Sequence, residues 1–419
     1  MKFKLLLLAI VFANSIFAQS NLNEKRLDKT LKSLQVATQT VGFSVAIVQG
    51  DKVIYAKGFG YKDLENKLKV DEHTLFPIGS TSKAFTTALL GIMEDEKDLK
   101  FTDSPKKYLP ELEFYNTDLN NNITIKDMVS HRTGLPRHDL SWYLFPTESK
   151  DSLLARVKHH KPFTEIRTQW YYNNFMYLAQ GLITEKLTGK SWEDNIRERF
   201  FKPLQMQTSN LTIKELEASA NVSKGYVLEK FSTSKLTPYY NIAAISPAGS
   251  INSSASEMAN WIKIWLNDGK FNNTQVLPKN YVKKAINPLI LVGNGIVEDK
   301  FPDQHLNSYG YAWFVSSYKG HYRLEHGGNI DGFSANVSFF PTDNFGIVVL
   351  ANQDGSALPT LVRNAISDEL LNLEKTDWVT YYNEKISDLK KQQQEESNKK
   401  EEQATNVSTP SHSIEAYTG

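Results

Sequence analysis

The sequence has no cysteine, no excess of charge of either sign and only one long apolar run. Without cysteine there can be no disulfide, thiolate metal site, cysteine nucleophile or lipid-modified cysteine. The 48 basic and 47 acidic residues nearly cancel, which gives no electrostatic reason to expect nucleic acid or a membrane surface as a partner. No internal repeat is visible. The chain must therefore be held by core burial, which about 400 residues can supply in one large or two ordinary domains.

The one long apolar run lies at the N-terminus. Lysines at positions 2 and 4 precede an apolar stretch from Leu5 to Phe17, and Ala18 follows. This order is typical of a cleaved secretory signal peptide over residues 1–18, and the run is too short and too weakly flanked for a membrane anchor. A buried N-terminal strand is the alternative. The sequence thus predicts export, to the periplasm or beyond, without an anchor.

Apolar patterning divides the rest of the chain into three regions. Val41–Tyr61 gives two apolar runs around a Gln-Gly-Asp-Lys turn, which predicts a hairpin. Short apolar runs return between about residues 309 and 352 as a predicted antiparallel meander, and helical spacing fills the middle. We therefore predict an α+β domain over residues 24–375, in which an antiparallel sheet from about 41–61 and 309–352 is flanked by helices. An inserted helical lobe would leave a cleft between lobes as the natural site.

Beyond this domain the composition changes. Residues 376–410 are rich in Lys, Glu and Gln and have almost no apolar stripe. Such a segment is either a solvated helix or a disordered linker, and its mixed charges require no partner.

A Ser-x-x-Lys motif is the first candidate for chemistry, but the spelling is common in this chain. It occurs at Ser80, Ser104, Ser232, Ser316, Ser387 and Ser397. Only Ser80 follows a Pro and a Gly that break regular structure and then leads into helical spacing. In a first helical turn Ser80 and Lys83 share a face, and the helix dipole and burial would both favour a neutral lysine able to act as a base. The alternative is a helix cap followed by an exposed lysine.

Two further motifs follow in order. A Tyr-x-Asn element fits at both Tyr171 and Tyr172, and His326-Gly327-Gly328 stands directly before a predicted strand. Together with Ser80 these segments resemble the serine β-lactamase and penicillin-binding protein superfamily, and within it the class C β-lactamase-related hydrolases that include family VIII carboxylesterases and D-aminopeptidases. The resemblance runs roughly from Val41 to Asn352. It includes FPIGSTSKAFT, ITIKDMVSHRTGLPRHD, YNNFMYLAQGLITEKLTGKS, SPAGSINSSASEMANW and HGGNIDGFSANVSFFPTDNFGIVVLAN.

The resemblance implies a role for each motif residue. Ser80 would be the acylated nucleophile and Lys83 its partner base. In relatives the motif asparagine lies three residues before an aromatic and seven before a helix glycine, and Asn174 has that register whereas Asn173 does not. Tyr172 would then be the acid/base, with a packed core tyrosine as the alternative, and Asn174 would bind Lys83 and the substrate amide.

The third motif departs from the family's commonest form. His326 stands where true β-lactamases and transpeptidases carry the lysine of Lys-Thr-Gly, and neither Lys-Thr-Gly nor Lys-Ser-Gly occurs in the chain. Gly327 and Gly328 would let a strand edge approach a ligand. His326 would donate to a substrate carboxylate or tune Tyr172, unless it is merely satisfied within the sheet. By analogy, the backbone N–H groups of Ser80 and Asn329 would form the oxyanion hole.

The implied activity is that of a serine hydrolase working through a Ser80 acyl-enzyme on a small-molecule or peptide substrate. Esters, amides with D-residues, cell-wall-like peptides and β-lactams are all compatible, and the histidine favours esterase or peptidase work over a dedicated β-lactamase. The alternatives are a penicillin-binding sensor that acylates but turns over poorly, and a non-enzyme in which the motifs only pack.

The mechanism needs no metal or organic cofactor, and the histidines show no metal-binding spacing such as His-Glu-x-x-His. Residues 411–419 resemble the start of the small β domain that often follows this catalytic domain.

Overall fold

The computed structural model describes residues 22–293 and 306–405. The predicted signal peptide at 1–18 and the segment 411–419 lie outside the described residues. Within the described residues the strands, in chain order, are β1 (Gly42–Gln49), β2 (Lys52–Asp63), β3 (Leu68–Lys69), β4 (Phe76–Pro77), β5 (Gly225–Glu229), β6 (Thr233–Thr237), β7 (Asn252–Ser253), β8 (Lys270–Phe271), β9 (Thr274–Gln275), β10 (Ile290–Leu291), β11 (Asn307–Tyr309), β12 (Phe314–Tyr318), β13 (His321–Ile330), β14 (Phe333–Phe340) and β15 (Phe345–Ala351).

The helices lie mostly between the two β regions, as the patterning predicts. They are α1 (Glu24–Thr38), α2 (Lys83–Asp95), α3 (Thr117–Asn122), α4 (Ile125–Val129), α5 (Leu140–Leu144), α6 (Lys150–Leu154), α7 (Phe175–Thr188), α8 (Trp192–Ile196), α9 (Ile213–Glu217), α10 (Ala255–Leu266), α11 (Lys279–Ala285), α12 (Leu358–Leu370) and α13 (Trp378–Thr405). Irregular turns of helix join them at Gly79–Ser82, Pro105–Lys107, Ala155–His159, Arg197–Phe201 and Ala243–Ala248.

One antiparallel sheet of nine strands unites the two ends of the domain. Its order is β10-β11-β12-β13-β14-β15-β1-β2-β3, so the N-terminal hairpin joins the C-terminal meander where β1 pairs with β15. The α+β prediction is confirmed, with the sheet built from distant segments. The predicted turn between β1 and β2 also forms, and Gly50 there adopts the left-handed backbone that glycine tolerates best.

The sheet is covered on both faces. Alternate residues of β1 point to opposite sides, with Val45 and Ile47 in one core and Ala46 and Val48 in the other. The first core holds helices α1 and α12, whereas the second holds α2, α7 and α10 of the helical lobe. Burial on both faces explains why the central strands are almost wholly apolar.

The charged tail is helical over α13, which is one of the two alternatives that its composition allows. Most of α13 is exposed, but its first residue, Trp378, is buried and donates its indole N–H to Asp368 Oδ2 at 2.8 Å. The packed domain therefore extends a few residues past the predicted limit at 375.

An open strand edge positions the candidate site. The first half of β13 pairs with β12, but residues 326–330 pair only with β14 on their other side. The turn Gly79–Ser82 lies against this free edge, and helix α2 follows it into the helical lobe.

Candidate active site

Ser80 lies in a short 3₁₀ turn that is held by its neighbours. Thr81 Oγ1 donates to the Ile78 carbonyl at 3.0 Å, and Ser82 Oγ donates to the Gly79 carbonyl at 2.7 Å. Gly79 has φ of +53°, a conformation that strains any residue with a Cβ. Ser80 itself stays partly exposed whereas its neighbours in the turn are buried. The turn thus presents one hydroxyl to the cleft.

Lys83 lies beneath that hydroxyl. Its Nζ is 3.1 Å from Ser80 Oγ and donates to the Ala248 carbonyl at 2.6 Å. The side chain is fully buried, and this burial holds the pKa of Lys83 well below its usual range. In the described part of the chain no carboxylate forms a salt bridge with Lys83. A neutral amine in this position has a lone pair with which to accept the Ser80 proton.

The glycines of β13 allow the strand to approach Ser80. A Cβ added to Gly328 would lie 2.0 Å from the Ile78 carbonyl oxygen and 3.3 Å from the Ser80 nitrogen. One added to Gly327 would meet only the Ala335 carbonyl oxygen, at 3.7 Å. Only Gly328 is therefore demanded by the close packing of strand and turn.

Asn329 follows at the same edge. Its side chain donates to Asp354 Oδ1 at 2.7 Å and accepts from Ser334 Oγ at 2.8 Å and from the Gly355 N–H at 2.9 Å. These bonds hold the Asn329 side chain to Ser334 of strand β14 and to Asp354 and Gly355, which follow β15. What Asn329 can offer a substrate is its backbone, as the predicted oxyanion hole requires.

The structure places Tyr172, and not Tyr171, against the reactive pair. The Lys83 Nζ lies 4.8 Å from the centre of the Tyr172 ring, whereas Tyr171 is 41% exposed and contacts Phe163. The Tyr172 hydroxyl oxygen is buried without a hydrogen-bond partner among the described residues. Burial raises the pKa of Tyr172 above its usual range, and the nearby Ser80 hydroxyl opposes that rise.

Asn174 has a different partner from the one expected. It precedes α7, and its Nδ2 donates to Asp139 Oδ1 at 3.0 Å. No hydrogen bond joins Asn174 to Lys83 within the described residues, because Lys83 is satisfied by Ser80 and Ala248. The expectation that Asn174 holds Lys83 is not met, although Asn174 does line the cleft beside Ser80.

His326 also differs from its expected role as a donor. Its Nδ1 lies 2.7 Å from the Gly327 carbonyl, which can only accept, so Nδ1 carries the proton. Nε2 then accepts from Tyr309 Oη at 3.0 Å. Burial lowers the pKa of His326 to about 3, and the nearby Lys83 adds to the effect. His326 is thus a neutral residue with both nitrogens satisfied, which leaves no N–H for a substrate carboxylate.

His131 is buried and packs against the ring of Tyr172. Its Nδ1 accepts from the Asn173 N–H at 3.1 Å, and its ring lies 4.3 Å from that of Tyr172. Its Nε2 has no partner among the described residues. Burial keeps the pKa of His131 well below its usual range, so His131 adds no positive charge beside Lys83.

Sequence reasoning missed Arg137 and Asp139, although both stand in the quoted segment HRTGLPRHD. Arg137 and Ser80 together line both recesses of the cleft, and Asp139 lines one. The Arg137 side chain forms an ion pair with Asp139 and lies over the Tyr172 ring, 4.8 Å from its centre. No spacing rule singles out these residues, because they lie in an irregular loop and reach the site only through the fold.

Over residues 22–293 and 306–405, no cluster of three His, Cys, Asp or Glu side chains has the geometry to hold a metal ion. No helix in those ranges is both long and apolar enough to cross a bilayer.

The fold combines a large antiparallel sheet with a helical lobe, and a serine lies beside a buried lysine at the cleft. Sequence comparison identifies the family: the one described as Beta-lactamase matches residues 27–370, and the chain belongs to it. A curated relative, the Unguisins hydrolase ungD' of Aspergillus campestris, is 29% identical over 376 residues, which cover 84% of this chain. The chain spans about two thirds, 66%, of that relative's length.

Solved structures share the fold. The octameric penicillin-binding protein homologue from Pyrococcus abyssi aligns with a TM-score of 0.74 at 22% identity, over 84% of this chain and 78% of that one. A D-stereospecific amidohydrolase from Streptomyces sp. aligns with a TM-score of 0.66 at 17% identity, over 83% and 99% respectively. At these identities the likeness establishes architecture alone.

Proposed function

We propose that this protein is a serine hydrolase that acts through a Ser80 acyl-enzyme on esters or on amide bonds, including those of peptides with D-residues. One observation carries the proposal: a buried Lys83 amine, with no salt bridge among the described residues, lies 3.1 Å from the partly exposed Ser80 hydroxyl. A lysine so placed loses its charge and can serve as a base. The relative named as a hydrolase supports the same class.

The steps follow from the geometry. Lys83 accepts the Ser80 proton as Ser80 attacks a carbonyl, and the backbone N–H groups of Ser80 and Asn329 stabilise the oxyanion. Tyr172, whose hydroxyl has no other partner among the described residues, protonates the leaving group. Water then attacks the acyl-enzyme and the proton path runs in reverse, which restores Ser80.

Substrate choice within this class rests on the neutral His326. The family's β-lactamases and transpeptidases carry a lysine there, and a neutral imidazole with no free N–H cannot replace its charge. We therefore favour ester and peptide substrates over β-lactams. The N-terminal pattern supports the further proposal that the enzyme acts after export, which N-terminal sequencing of the secreted or periplasmic protein would test.

The test is to expose the mature protein to a fluorophosphonate, fluorescent penicillin, p-nitrophenyl esters and D-Ala-D-Ala peptides, following both label and product. Ser80→Ala should abolish labelling and turnover. Ser104→Ala is the matched control: it heads another Ser-x-x-Lys but serves only as a cap, accepting from the Lys106 N–H at 3.3 Å, and should retain both. Labelling without turnover would favour the sensor alternative. Turnover that survives Ser80→Ala would overturn the site assignment.

A further inference from the structure

Arg137 stands where two recesses meet at the nucleophile. The inner recess has apolar walls from Trp142, Tyr143, Ile242, Ile245 and Ile330 and polar walls from Asp139 and Asn174. The outer cleft is lined by Trp170, Tyr172, Phe314, His326 and Gly327 among others. Ser80, Arg137 and Asn329 line both. A substrate bound across Ser80 would therefore have Arg137 beside its scissile bond.

The loop and the side chain fix the direction of Arg137. Asn173 Nδ2 donates to the Pro136 carbonyl at 2.7 Å, which anchors the residue just before it. The Arg137 Nε donates to Asp139 Oδ2, and the guanidinium lies over the Tyr172 ring. A guanidinium held by one edge and one face keeps its outer edge in a defined place.

That outer edge is free. Neither Nη atom of Arg137 has a hydrogen-bond partner among the described residues, and the side chain is 50% exposed. Asp139 faces the same region, but its oxygens are occupied by Arg137 and Asn174. Two parallel N–H donors of this kind match a carboxylate.

Arg137 also has no competitor for an anion. Within the described lining of both recesses it is the only arginine or lysine. Lys83 is buried under Ser80 and bonded to Ala248, and both nitrogens of His326 are occupied. Arg137 is thus the cationic side chain that the described lining of the cleft offers to an anion.

Building on the proposed function, we infer that Arg137 selects substrates whose leaving group carries a carboxylate next to the scissile bond, such as a C-terminal amino acid. Tyr172, which protonates the leaving group, lines the outer cleft and lies under Arg137, so the leaving group and its carboxylate belong on that side. The inner recess, which has both apolar and polar walls, then takes the acyl part. On acylation the Ser80 Oγ–carbon bond forms, the bond to the leaving atom breaks, and the Ser80 proton ends on that atom.

A matched pair of thioesters tests the inference. Phenylacetyl thioesters of mercaptoacetate and of mercaptoacetamide have leaving groups of nearly equal size that differ in charge, and a thiol reagent follows release of either thiol. Because the amide also makes its thiolate the better leaving group, each kcat/KM is taken relative to the rate at which hydroxide cleaves the same thioester. Release reports acylation itself, so even a single turnover gives a result. The mature wild-type protein should prefer the carboxylate by on the order of 10- to 100-fold in kcat/KM, the usual range for a charge-assisted pair.

Variants assign that preference to Arg137. Arg137→Gln should bring the ratio of the two kcat/KM values to about 1, and Arg137→Lys should leave an intermediate ratio because an ammonium cannot bind bidentately. A ratio is insensitive to a general loss of activity. Arg199→Gln removes an arginine of comparable exposure that pairs with Glu96 at 2.7 Å, away from the cleft, and should keep the wild-type ratio.

The outcomes separate this inference from the proposed function. A wild-type ratio near or below 1, or a ratio that Arg137→Gln and Arg137→Lys both leave unchanged, overturns the inference. So does a protein that a fluorophosphonate labels at Ser80 but that releases neither thiol, while the nucleophile assignment stands. If no reagent labels Ser80, the proposed function fails and the inference with it.

Discussion

The amine of Lys83 lies 3.1 Å from the hydroxyl of Ser80 with no carboxylate bonded to it in the described part of the chain. Because burial lowers the pKa of Lys83, the neutral base should be present at working pH. Lys83→Arg places a permanent charge there and should reduce the acylation rate by about 100-fold or more.

The pH dependence of the acylation rate should follow from the same lowered pKa of Lys83. Acylation needs neutral Lys83, so its rate should be full above the depressed pKa and fall as pH drops through it. Fluorophosphonate labelling rates against pH would measure this. Lys107→Arg, in the surface Ser104 motif, is the control and should match wild type. An unaltered rate in Lys83→Arg would remove lysine from the mechanism.

Tyr172→Phe should separate acid catalysis from packing. The variant keeps the ring against Lys83 and removes only a hydroxyl that has no partner in the described residues. Amide hydrolysis, which needs the leaving group protonated, should fall by about 100-fold or more, and p-nitrophenyl ester hydrolysis much less. Tyr171→Phe alters the exposed neighbour and is the control for the register of the motif. Equal effects of both variants on the amide would refute the choice of Tyr172.

Gly328→Ala and Gly327→Ala form a second matched pair. The first puts a methyl 2.0 Å from the Ile78 carbonyl, and the second leaves it at an ordinary 3.7 Å from Ala335. We expect Gly328→Ala to reduce the free energy of unfolding by about 1–3 kcal/mol, the usual cost of overpacking, and to slow labelling of Ser80. Gly327→Ala should leave the urea midpoint nearly unchanged. Comparable losses of stability would mean that strand and turn do not pack as described.

His326 should make the protein sensitive to acid. Its pKa is lowered to about 3 in the folded protein but is near 6.5 when unfolded. The unfolded chain therefore binds the extra proton between these values, and stability is lost as pH falls from about 6.5 toward 3. At pH 5 this one residue should contribute about 2 kcal/mol of that loss.

Urea unfolding at pH 7.5 and pH 5 measures the difference. His326→Gln should lose less stability over this interval than wild type, by about 2 kcal/mol. Replacing the exposed His73 by Gln is the control, and this variant should lose as much stability between pH 7.5 and pH 5 as wild type does. Identical losses in His326→Gln and wild type would show that His326 is not the buried neutral group described.

The fold was predictable because its signals are local and repeated. Alternating apolar runs predicted β1, β2 and the meander, and the break before Ser80 together with the helical spacing after it predicted α2. Ser254 caps α10 and accepts from the Glu257 N–H at 3.2 Å. That helix ends at Leu266 because Asn267 and Asp268 already form the turn.

The partners of the site residues were not predictable from spacing. Asn174 and Lys83 are each satisfied by a residue far away in the sequence, Asp139 and Ala248 respectively. The sequence makes His326 a candidate substrate ligand, but in the structure its Nε2 is occupied by a hydrogen bond from Tyr309, which lies on another strand. Hydrogen-bond partners of this kind depend on tertiary contacts, which leave no periodic trace in the sequence.

The pairing of β1 with β15 has a consequence for biosynthesis. Phe43 pairs with Ala351, so a ribosome must add roughly 300 further residues before the N-terminal hairpin meets its neighbour, and such long-range pairing is slow. Until then the apolar edge of β1 is open to other chains. The nascent polypeptide therefore carries an unpaired β1 edge for most of its synthesis, and the cleft beside Ser80 cannot form before the last strands of the sheet have been made.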